Sequence, residues 1–485
     1  MNVGLLTHEI AVAGLGVLLL LADLWLPASC RRALGWSAAA GLGLLLVLSV
    51  IGVFGLAATG SALGGMFVQD EFSLFFKRLF LLIGIFVLLM AVEFSDRFSA
   101  GLSEYYVLMV FTLTGMMLAA SANDLLLLFV SIELMTVSLY ILTAYQRTRR
   151  GSVEAGVKYL ILGALSSAFL VMGIALIWGL TGRLNFTELG MVLARFSENP
   201  LFLSGVVLVL GALGFKLAAV PFQVWAPDVY EGSPTPTTAL LAAGSKAAGV
   251  AMLLRLLFTG LPGLLESAAL LTLLMVVSGA SILYGNLGAL GQQNLKRLLG
   301  YSGIAHAGYV LLGVVACNAA GQTAVLFYIV AYALTVLGAF VVIGWVLRHL
   351  PTEHISGLAG LHQRSPLLAA TVTLSMVSLA GIPPLAGFFG KFLLIRSLLE
   401  QLHAHPGYGV LAGVGILGVV ISIYYYFRVI RAVYWEAPQM GASEVALPQS
   451  LRFAAAFSLV GMLYLGLFPG RLLHWAEQAA RVLAF

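Results

Sequence analysis

Long apolar stretches follow one another along almost the whole chain, each separated from the next by a short segment of polar residues, glycine or proline. The stretches are about 20 residues long, which is the length that a helix needs to cross the hydrocarbon core of a bilayer. Membrane barrels would instead give alternating segments of about ten residues. Because 61% of the residues are hydrophobic and only 9% are charged, the composition lies far outside that of soluble domains. The sequence therefore predicts an all-α integral membrane protein.

The apolar stretches predict about fourteen transmembrane helices. Their approximate bounds are 4–27, 34–59, 73–95, 104–121, 124–145, 152–181, 203–230, 236–260, 266–290, 297–317, 321–348, 366–400, 407–434 and 451–470. The first stretch has no basic segment before it, so we expect a retained span rather than a cleaved leader.

The distribution of basic residues predicts the orientation, since positive loops stay on the cytoplasmic side. If the N-terminus is outside, the inside loops hold most of the arginines, including the cluster of Arg147, Arg149 and Arg150. We therefore expect both termini on the periplasmic side of a bacterial inner membrane. The net charge is +5, and the basic residues are distributed among the segments between the spans. This distribution argues against a nucleic-acid partner. Cys30 and Cys317 lie far apart without a CxxC pattern, so no metal or iron–sulfur site is predicted.

Two spans carry helix breakers beside a lysine. The seventh has Lys216 followed by Pro221, and the twelfth has Pro383 and Pro384 followed by Lys391. Paired interruptions of this kind are typical of inverted repeats with broken helices around a mid-membrane site. We expect a three-helix region at 1–100, a five-helix repeat at 101–260, a second at 261–435, and a last helix with a short tail at 436–485.

Ionisable residues within the spans are functional candidates, because a charge at mid-bilayer costs about 2.5 to 3.5 kcal/mol on insertion scales. The candidates for proton transfer are Glu133, Lys158, Lys216, Lys246, His306 and Lys391. Three of them have an alternative interpretation that the sequence leaves open. Glu133 could rest against helix-end donors, Lys158 could be a snorkelling lysine paired with Glu154, and His306 could be a packed neutral histidine.

Lysine suits a proton station because its charge responds to its surroundings. Burial can lower the pKa of a lysine by about 3 to 5 units, and a nearby carboxylate raises it again. A moving charge could therefore load or unload a proton, which arginine would not allow because it stays protonated.

Three motifs resemble a family. They are Phe215–Thr238 (FKLAAVPFQVWAPDVYEGSPTPTT), Asn294–Ser302 (NLKRLLGYS) and Ser378–Lys391 (SLAGIPPLAGFFGK). Together they are similar to the antiporter-like, proton-translocating membrane subunits of respiratory complex I, the bacterial NADH-quinone oxidoreductase. Within that family the form WAPDVYEGSPTP, Lys246 where histidine is usual, and Lys391 where subunit M has glutamate are similar to subunit N. Leu385, where threonine or methionine is common, is a mild departure.

The resemblance implies a chain of proton carriers. Glu133 and Lys216 would form an interacting pair, Lys158 and Lys246 would continue it, and Lys391 would lead to an exit or to the next subunit. His306 is not implied by the resemblance; it is a candidate because histidine at its usual pKa could relay a proton between the lysines.

The resemblance also implies what lies outside this chain. NADH, FMN, iron–sulfur clusters and quinone would bind to other subunits of the translocase, and this chain would hold none of them. The expected partners are the antiporter-like subunit M, the small subunits K and J, and lipids. Two other functions stay open: a subunit of a multi-subunit Na⁺/H⁺ antiporter, and a non-conducting membrane scaffold.

Overall fold

The computed structural model of the protein describes residues 3–27, 30–98, 101–348, 353–438 and 446–483. The helices are α1 Thr7–Asp23, α2 Arg31–Ile51, α3 Glu71–Glu93, α4 Leu102–Ser121, α5 Leu125–Thr143, α6 Arg150–Thr181, α7 Phe186–Val192, α8 Pro200–Leu217, α9 Trp225–Gly232, α10 Thr235–Leu240, α11 Lys246–Arg255, α12 Ala268–Leu290, α13 Leu295–Val315, α14 Ala319–Val346, α15 Leu361–Arg364, α16 Pro366–Ala380, α17 Ala386–Leu399, α18 Gly407–Trp435, α19 Gln449–Leu467 and α20 Gly470–Arg481. Two π-helical segments, Leu241–Ser245 and Leu256–Gly260, flank α11.

Each of the fourteen predicted spans contains one or two of these helices. Within the described residues, 13 helical stretches have the length and hydropathy of a membrane span. The fourteenth is the predicted span 366–400, which is divided into α16 and α17, each too short to cross a bilayer alone. The all-α membrane fold with about fourteen spans is therefore confirmed.

A short β-hairpin interrupts the helical pattern between α2 and α3. Its strands are β1 Gly60–Ala62 and β2 Phe67–Gln69, which pair antiparallel with Ser61 opposite Val68. The sequence analysis placed the end of the second span at residue 59, whereas α2 ends at Ile51 because Gly52 adopts a left-handed conformation with φ of 79°. The hairpin then leads into Asp70, which caps α3.

Both predicted breaks are present. In the seventh span, α8 ends at Leu217 and Ala218 takes a left-handed conformation, with α9 beginning at Trp225. In the twelfth, α16 ends at Ala380 and Gly381 has φ of 84°, with α17 beginning at Ala386. Backbone polar groups are thus left outside regular helices at membrane depth in both spans.

The two five-helix repeats show the same backbone link between their second and third spans. In the first repeat, the start of α5 is joined to the segment after α6 by two backbone hydrogen bonds, from Leu125 to Leu184 and from Phe186 to Asn123. In the second repeat, the start of α13 is joined in the same way to the segment after α14, from Leu295 to Glu353 and from Ile355 to Gln293. Because each repeat contains an odd number of spans, the repeats run through the membrane in opposite directions. The exact region boundaries stay a prediction, and residues 99–100, 439–445 and 484–485 lie outside the described residues.

The centre of the molecule is formed by helices that are buried on all sides. Every residue from Thr235 to Arg255 is buried, and α13 and α14 are nearly so. By contrast, α1 and α2 present many apolar side chains outward. A charged residue on the central helices therefore has no contact with bulk water, and its partners must come from the protein.

Candidate functional site: a buried polar axis

Lys216 lies in the last turn of α8, where the helix is about to break. Its side chain is 4% exposed, and its ammonium group donates a hydrogen bond to the hydroxyl of Thr136 on α5. The indole of Trp225, just beyond the break, donates to the carbonyl of Phe215 at 2.9 Å. The same carbonyl accepts from the amide of Ala218 at 3.0 Å, so the indole ties the segment beyond the break back to the end of α8 beside the lysine.

Glu133 lies one turn before Thr136 on α5 and is only half-buried. Its carboxylate accepts a hydrogen bond from Ser167 on α6 at 2.5 Å rather than from Lys216. A cavity of about 10 Å³ beside Lys216 is lined by Thr136, Ser166 and Ser167, the last of which donates to Glu133. This is the smallest volume that holds one water molecule, so there is room for one water beside Lys216 and Ser167.

Lys246 is the first residue of α11 and follows directly on the first π-helical segment. Its ammonium group donates to the carbonyl of Gly303 on α13 and lies 5.3 Å from the ring centre of Tyr332. A Cβ atom at position 303 would lie 3.1 Å from this nitrogen, so glycine leaves the room that the lysine occupies. Lys246 is thus buried against a carbonyl and an aromatic face.

His306 lies one turn after Gly303 on α13 and is 4% exposed. Its Nδ1 shares a hydrogen bond with the hydroxyl of Tyr328, and its Nε2 with the hydroxyl of Tyr426 at 3.2 Å. The ring also packs 4.9 Å from Tyr332, the same tyrosine that faces Lys246. Both nitrogens therefore have a partner that can either donate or accept.

Lys391 lies on α17 just beyond the second break. Its ammonium group donates to the carbonyls of Leu379 at 2.7 Å and Ala380 at 3.3 Å. These carbonyls are the ones that the end of α16 leaves free, and the ammonium also lies 4.6 Å from the ring centre of Tyr309. We refer to Glu133, Lys216, Lys246, His306 and Lys391 as the polar axis.

Lys158 has a different environment. It forms ion pairs with Glu154 at 2.6 Å and with Asp228 at 2.7 Å, and its side chain is 41% exposed. Asp228 also pairs with Arg297 at 2.5 Å, so Lys158 belongs to a network of paired charges. The pairing with Glu154 that the sequence left open is present, and a role for Lys158 in proton transfer stays a prediction.

Comparison with other proteins places this geometry in a family. A profile described as "NADH:quinone oxidoreductase/Mrp antiporter, TM" matches residues 122–421. NADH-quinone oxidoreductase subunit N of Desulforamulus reducens is 40% identical over 480 residues, covering 99% of this chain and 98% of the relative. Subunit N of Heliobacterium modesticaldum is 41% identical over 484 residues, covering 100% of both chains. The chain belongs to the subunit N family of NADH-quinone oxidoreductases.

Solved structures agree with this membership of the subunit N family. A chain of respiratory complex I from Thermus thermophilus, solved with bound aureothin, is 32% identical with a TM-score of 0.81, and the match covers 96% of this chain and 98% of that one. A chain of the Mrp complex from Dietzia sp. has a TM-score of 0.86, covering 100% of this chain and 98% of that one, at 24% identity. The second match shows a shared fold alone.

Several buried charges of this subunit N family member were missed by the sequence analysis. Glu9, Asp70, Lys77 and Arg255 are each at most 9% exposed and form two ion pairs beside the β-hairpin: Lys77 with Glu9 at 2.7 Å, and Arg255 with Asp70 at 2.7 Å. We call these four residues the hairpin ion cluster. Three of them lie inside predicted spans, so the criterion that selected the polar axis would have found them.

One further buried lysine was also missed. Lys296, at the start of α13, is fully buried and donates to the carbonyl of Ser233 at 2.8 Å, with the carboxylate of Glu353 at 3.1 Å. It lies at the edge of a predicted span, where the sequence suggests only a basic loop residue.

Proposed function

We propose that the chain carries protons along the polar axis as a membrane subunit of an NADH-quinone oxidoreductase, while NADH oxidation and quinone reduction take place in other subunits. The NADH, FMN, iron–sulfur and quinone sites are accordingly proposed for those subunits. The relatives named subunit N and the membrane fold support this proposal, and the environment of the six lysines in the chain carries it.

The six lysines fall into two classes by their partners. Lys77, Lys158 and Lys296 each form an ion pair with a carboxylate. Among the described residues, the ammonium groups of the other three have neutral oxygen acceptors instead: Lys216 on Thr136, Lys246 on Gly303, and Lys391 on Leu379. An ion pair fixes a charge, whereas a neutral acceptor allows the lysine to lose its proton without leaving a buried carboxylate unpaired.

The first step of the proposed transfer takes place at Lys216. When Glu133 is ionised it favours the charged form of Lys216, and when Glu133 is protonated or displaced the ammonium loses that support and releases its proton. The cavity beside Lys216 has room for one water and reaches Ser167, which donates to Glu133. Lys216 packs on α11 at Gly249, where a Cβ would lie 3.6 Å from that of Lys216, one turn from Lys246.

The second step joins Lys246 to Lys391 through His306. Tyr332 faces both Lys246 and His306, and Tyr309 faces both His306 and Lys391. The histidine is also bonded to tyrosine hydroxyls that can pass a proton. Lys391 would then give its proton to a water molecule at the second break, where backbone carbonyls that lie outside the helices can hydrogen-bond to water. Moving each charge across the membrane costs about 2.3 kcal/mol per 100 mV, so the energy has to come from the redox reaction elsewhere in the complex.

The half-buried position of Glu133 supports a neighbouring subunit at that face. Glu133, Tyr145 and Arg147 line an open groove of about 710 Å³ between α5 and α6. A carboxylate facing lipid at mid-membrane is costly, so we propose that one of the expected neighbours, subunits M, K and J, covers it. We also propose an inner-membrane location with both termini on the periplasmic side.

The proposal is tested with Glu133→Ala and Lys216→Ala in the assembled complex. Each variant should assemble and bind its partners as the parent does, but proton pumping, measured by dye quenching in inverted membrane vesicles, should fall. Glu198→Ala and Arg195→Ala change exposed residues and serve as matched controls. Normal pumping in both axis variants would refute the proposal, and tolerance of Lys216→Met in addition would favour a scaffold.

A further inference from the structure

The ion pair between Arg255 and Asp70 joins the central helix to the β-hairpin. The guanidinium nitrogens of Arg255 contact the two carboxylate oxygens of Asp70 at 2.7 and 2.8 Å, and one of them also donates to the carbonyl of Ala120 at 3.2 Å. The guanidinium lies 4.8 Å from the ring centre of Phe72. This two-bond geometry fixes both the distance and the orientation of the arginine.

Asp70 is itself held rigidly. It caps α3 by accepting a hydrogen bond from the amide of Ser73 at 2.8 Å, and its own amide donates to the hydroxyl of Ser73 at 2.9 Å. Its neighbour in the hairpin, Gln69, accepts a hydrogen bond from the buried ammonium of Lys77 at 2.8 Å. Arg255 is therefore attached to a fixed point rather than to a mobile side chain.

The helix that carries Arg255 also carries Lys246, and both sit at its ends. The segment α11 contains 10 residues, begins with Lys246, ends with Arg255, and has a π-helical segment at each end. An α-helix of this length spans about 15 Å, so the two charges lie at opposite ends of one rigid unit. The π-helical turns are frequent at functional sites and interrupt the regular bonding of the helix, so the unit depends on other contacts to fix its position.

We propose that Asp70 is a positioning residue for proton transfer: by holding Arg255 it fixes α11, so that the ammonium of Lys246 stays on the carbonyl of Gly303 and the face of Tyr332. This inference rests on the proposed function, since it gives Lys246 a part in proton transfer. Asp70 itself does not touch the proton.

A purely stabilising role explains the ion pair poorly. Two charges buried in an apolar interior gain little over well-packed apolar residues, because their desolvation offsets their attraction. Phe72 packs on the guanidinium at 4.8 Å, and the other pair of the hairpin ion cluster, Lys77 with Glu9, balances its own charges, so the site does not need Asp70 and Arg255 for charge balance. What the charges add is a fixed geometry at one end of α11.

The test compares Asp70→Asn with Glu71→Gln in the assembled complex. Asp70→Asn should leave the complex assembled but lower proton pumping per assembled complex by about threefold or more, at the lower end of the coupling expected within one network. It should also move the pH at which pumping is half-maximal by about half a unit or more. The reason is that Lys246 would lose its fixed position beside the Gly303 carbonyl and the titratable groups nearby, which are Tyr230, Tyr332 and His306. Glu71→Gln, one residue along and exposed, should change neither quantity.

If Asp70→Asn lowers the amount of assembled complex but leaves the pumping rate per complex and its pH profile at parental values, the ion pair has only a structural role and the inference is wrong. If Asp70→Asn does not assemble, Arg255→Lys keeps the charge and loses the two-bond geometry, and the same two measurements decide. Failure of both variants to assemble also counts against the inference. Lys246→Ala is measured in parallel: normal pumping there refutes the proposed function, whereas lost pumping there with a parental Asp70→Asn refutes only this inference.

Discussion

Each lysine of the polar axis is held by an oxygen that carries no charge. At Lys391 the acceptors are the carbonyls of Leu379 and Ala380, and they are available because α16 ends there. The same oxygen can accept from a charged or a neutral amine, so the lysine keeps a hydrogen bond in both protonation states. Where the partner is a carboxylate, as at Lys296, loss of the proton would leave a buried negative charge.

Replacing a lysine by methionine should have different effects on a lysine bonded to neutral oxygens and on a lysine paired with a carboxylate. Lys391→Met should leave the amount of assembled complex close to the parental level and lower proton pumping strongly. Lys296→Met leaves Glu353 short of a partner, and breaking a buried pair costs roughly 3 kcal/mol or more, so it should mainly reduce the assembled complex. Blue-native gels and pumping assays on the same membranes separate the two effects, and a reversed pattern would contradict the classification.

The stability of the protein should depend on pH through Glu353. Burial alone would raise its pKa, but the charges of Lys296 and Arg149 hold the pKa below its ordinary value of 4.5. The stabilisation is therefore present above pH 4.5 and is lost as the pH falls through the lowered pKa.

In Glu353→Gln this acid-dependent loss should be absent. The apparent melting temperature of the purified protein in detergent, measured between pH 3 and 7 by size-exclusion chromatography after heating, should fall less steeply in acid for the variant than for the parent. Equal slopes would show that Glu353 does not contribute.

Residue partners were the least predictable part of the site. The sequence selected Glu133, Lys216, Lys246, His306 and Lys391 because each interrupts an apolar span, and the structure places them on α5, α8, α11, α13 and α17. The sequence does not show which carboxylate pairs with which lysine. Glu9 and Lys77, like Lys296 and Glu353, come together only through the packing of segments that are distant in the chain.

At the scale of helices, the two breaks are the features that bring backbone oxygens to the lysines. Gly381 ends α16 in a left-handed conformation, and a Cβ at this position would lie 2.9 Å from the Cδ of Lys391. An alanine here would therefore meet both backbone strain and the lysine side chain.

Gly381→Ala should destabilise the protein by about 1 kcal/mol or more, because an L-residue is strained at this φ, and should lower pumping by displacing Lys391. Gly413→Ala on α18 is the matched control, since nothing lies within 4 Å of a Cβ there. Thermal stability and pumping are measured for both variants, and parental values for Gly381→Ala would show that the break tolerates a side chain.

Helices and breaks were predictable to different degrees. Apolar length identified fourteen spans, and proline within an apolar span identified both interruptions, because these signals act locally. The β-hairpin and the two π-helical segments have no such signal: Gly60–Gln69 is too short for a periodicity, and Leu241–Ser245 reads as ordinary apolar helix.

At the scale of the whole molecule, the groove beside Glu133 predicts a subunit interface. Val137 lines this groove and is 50% exposed. Val137→Trp should fill the groove and reduce the amount of neighbouring membrane subunits that co-purify with the chain. Val171→Trp is the control, because Val171 is 47% exposed on α6 outside the residues that line the groove. Equal co-purification of both variants would show that the groove faces lipid.

The inverted repeats have a consequence for the direction of the proposed proton transfer. Asp124 caps α5 and Asn294 caps α13, and Thr136 and His306 follow these caps at the same spacing. Two identical halves related by such symmetry would offer a proton the same order of sites from either face of the membrane, and would conduct equally both ways. Here one half places a hydroxyl where the other places an imidazole. In the proposed path, this difference means that a proton would meet the sites in a different order from each face of the membrane.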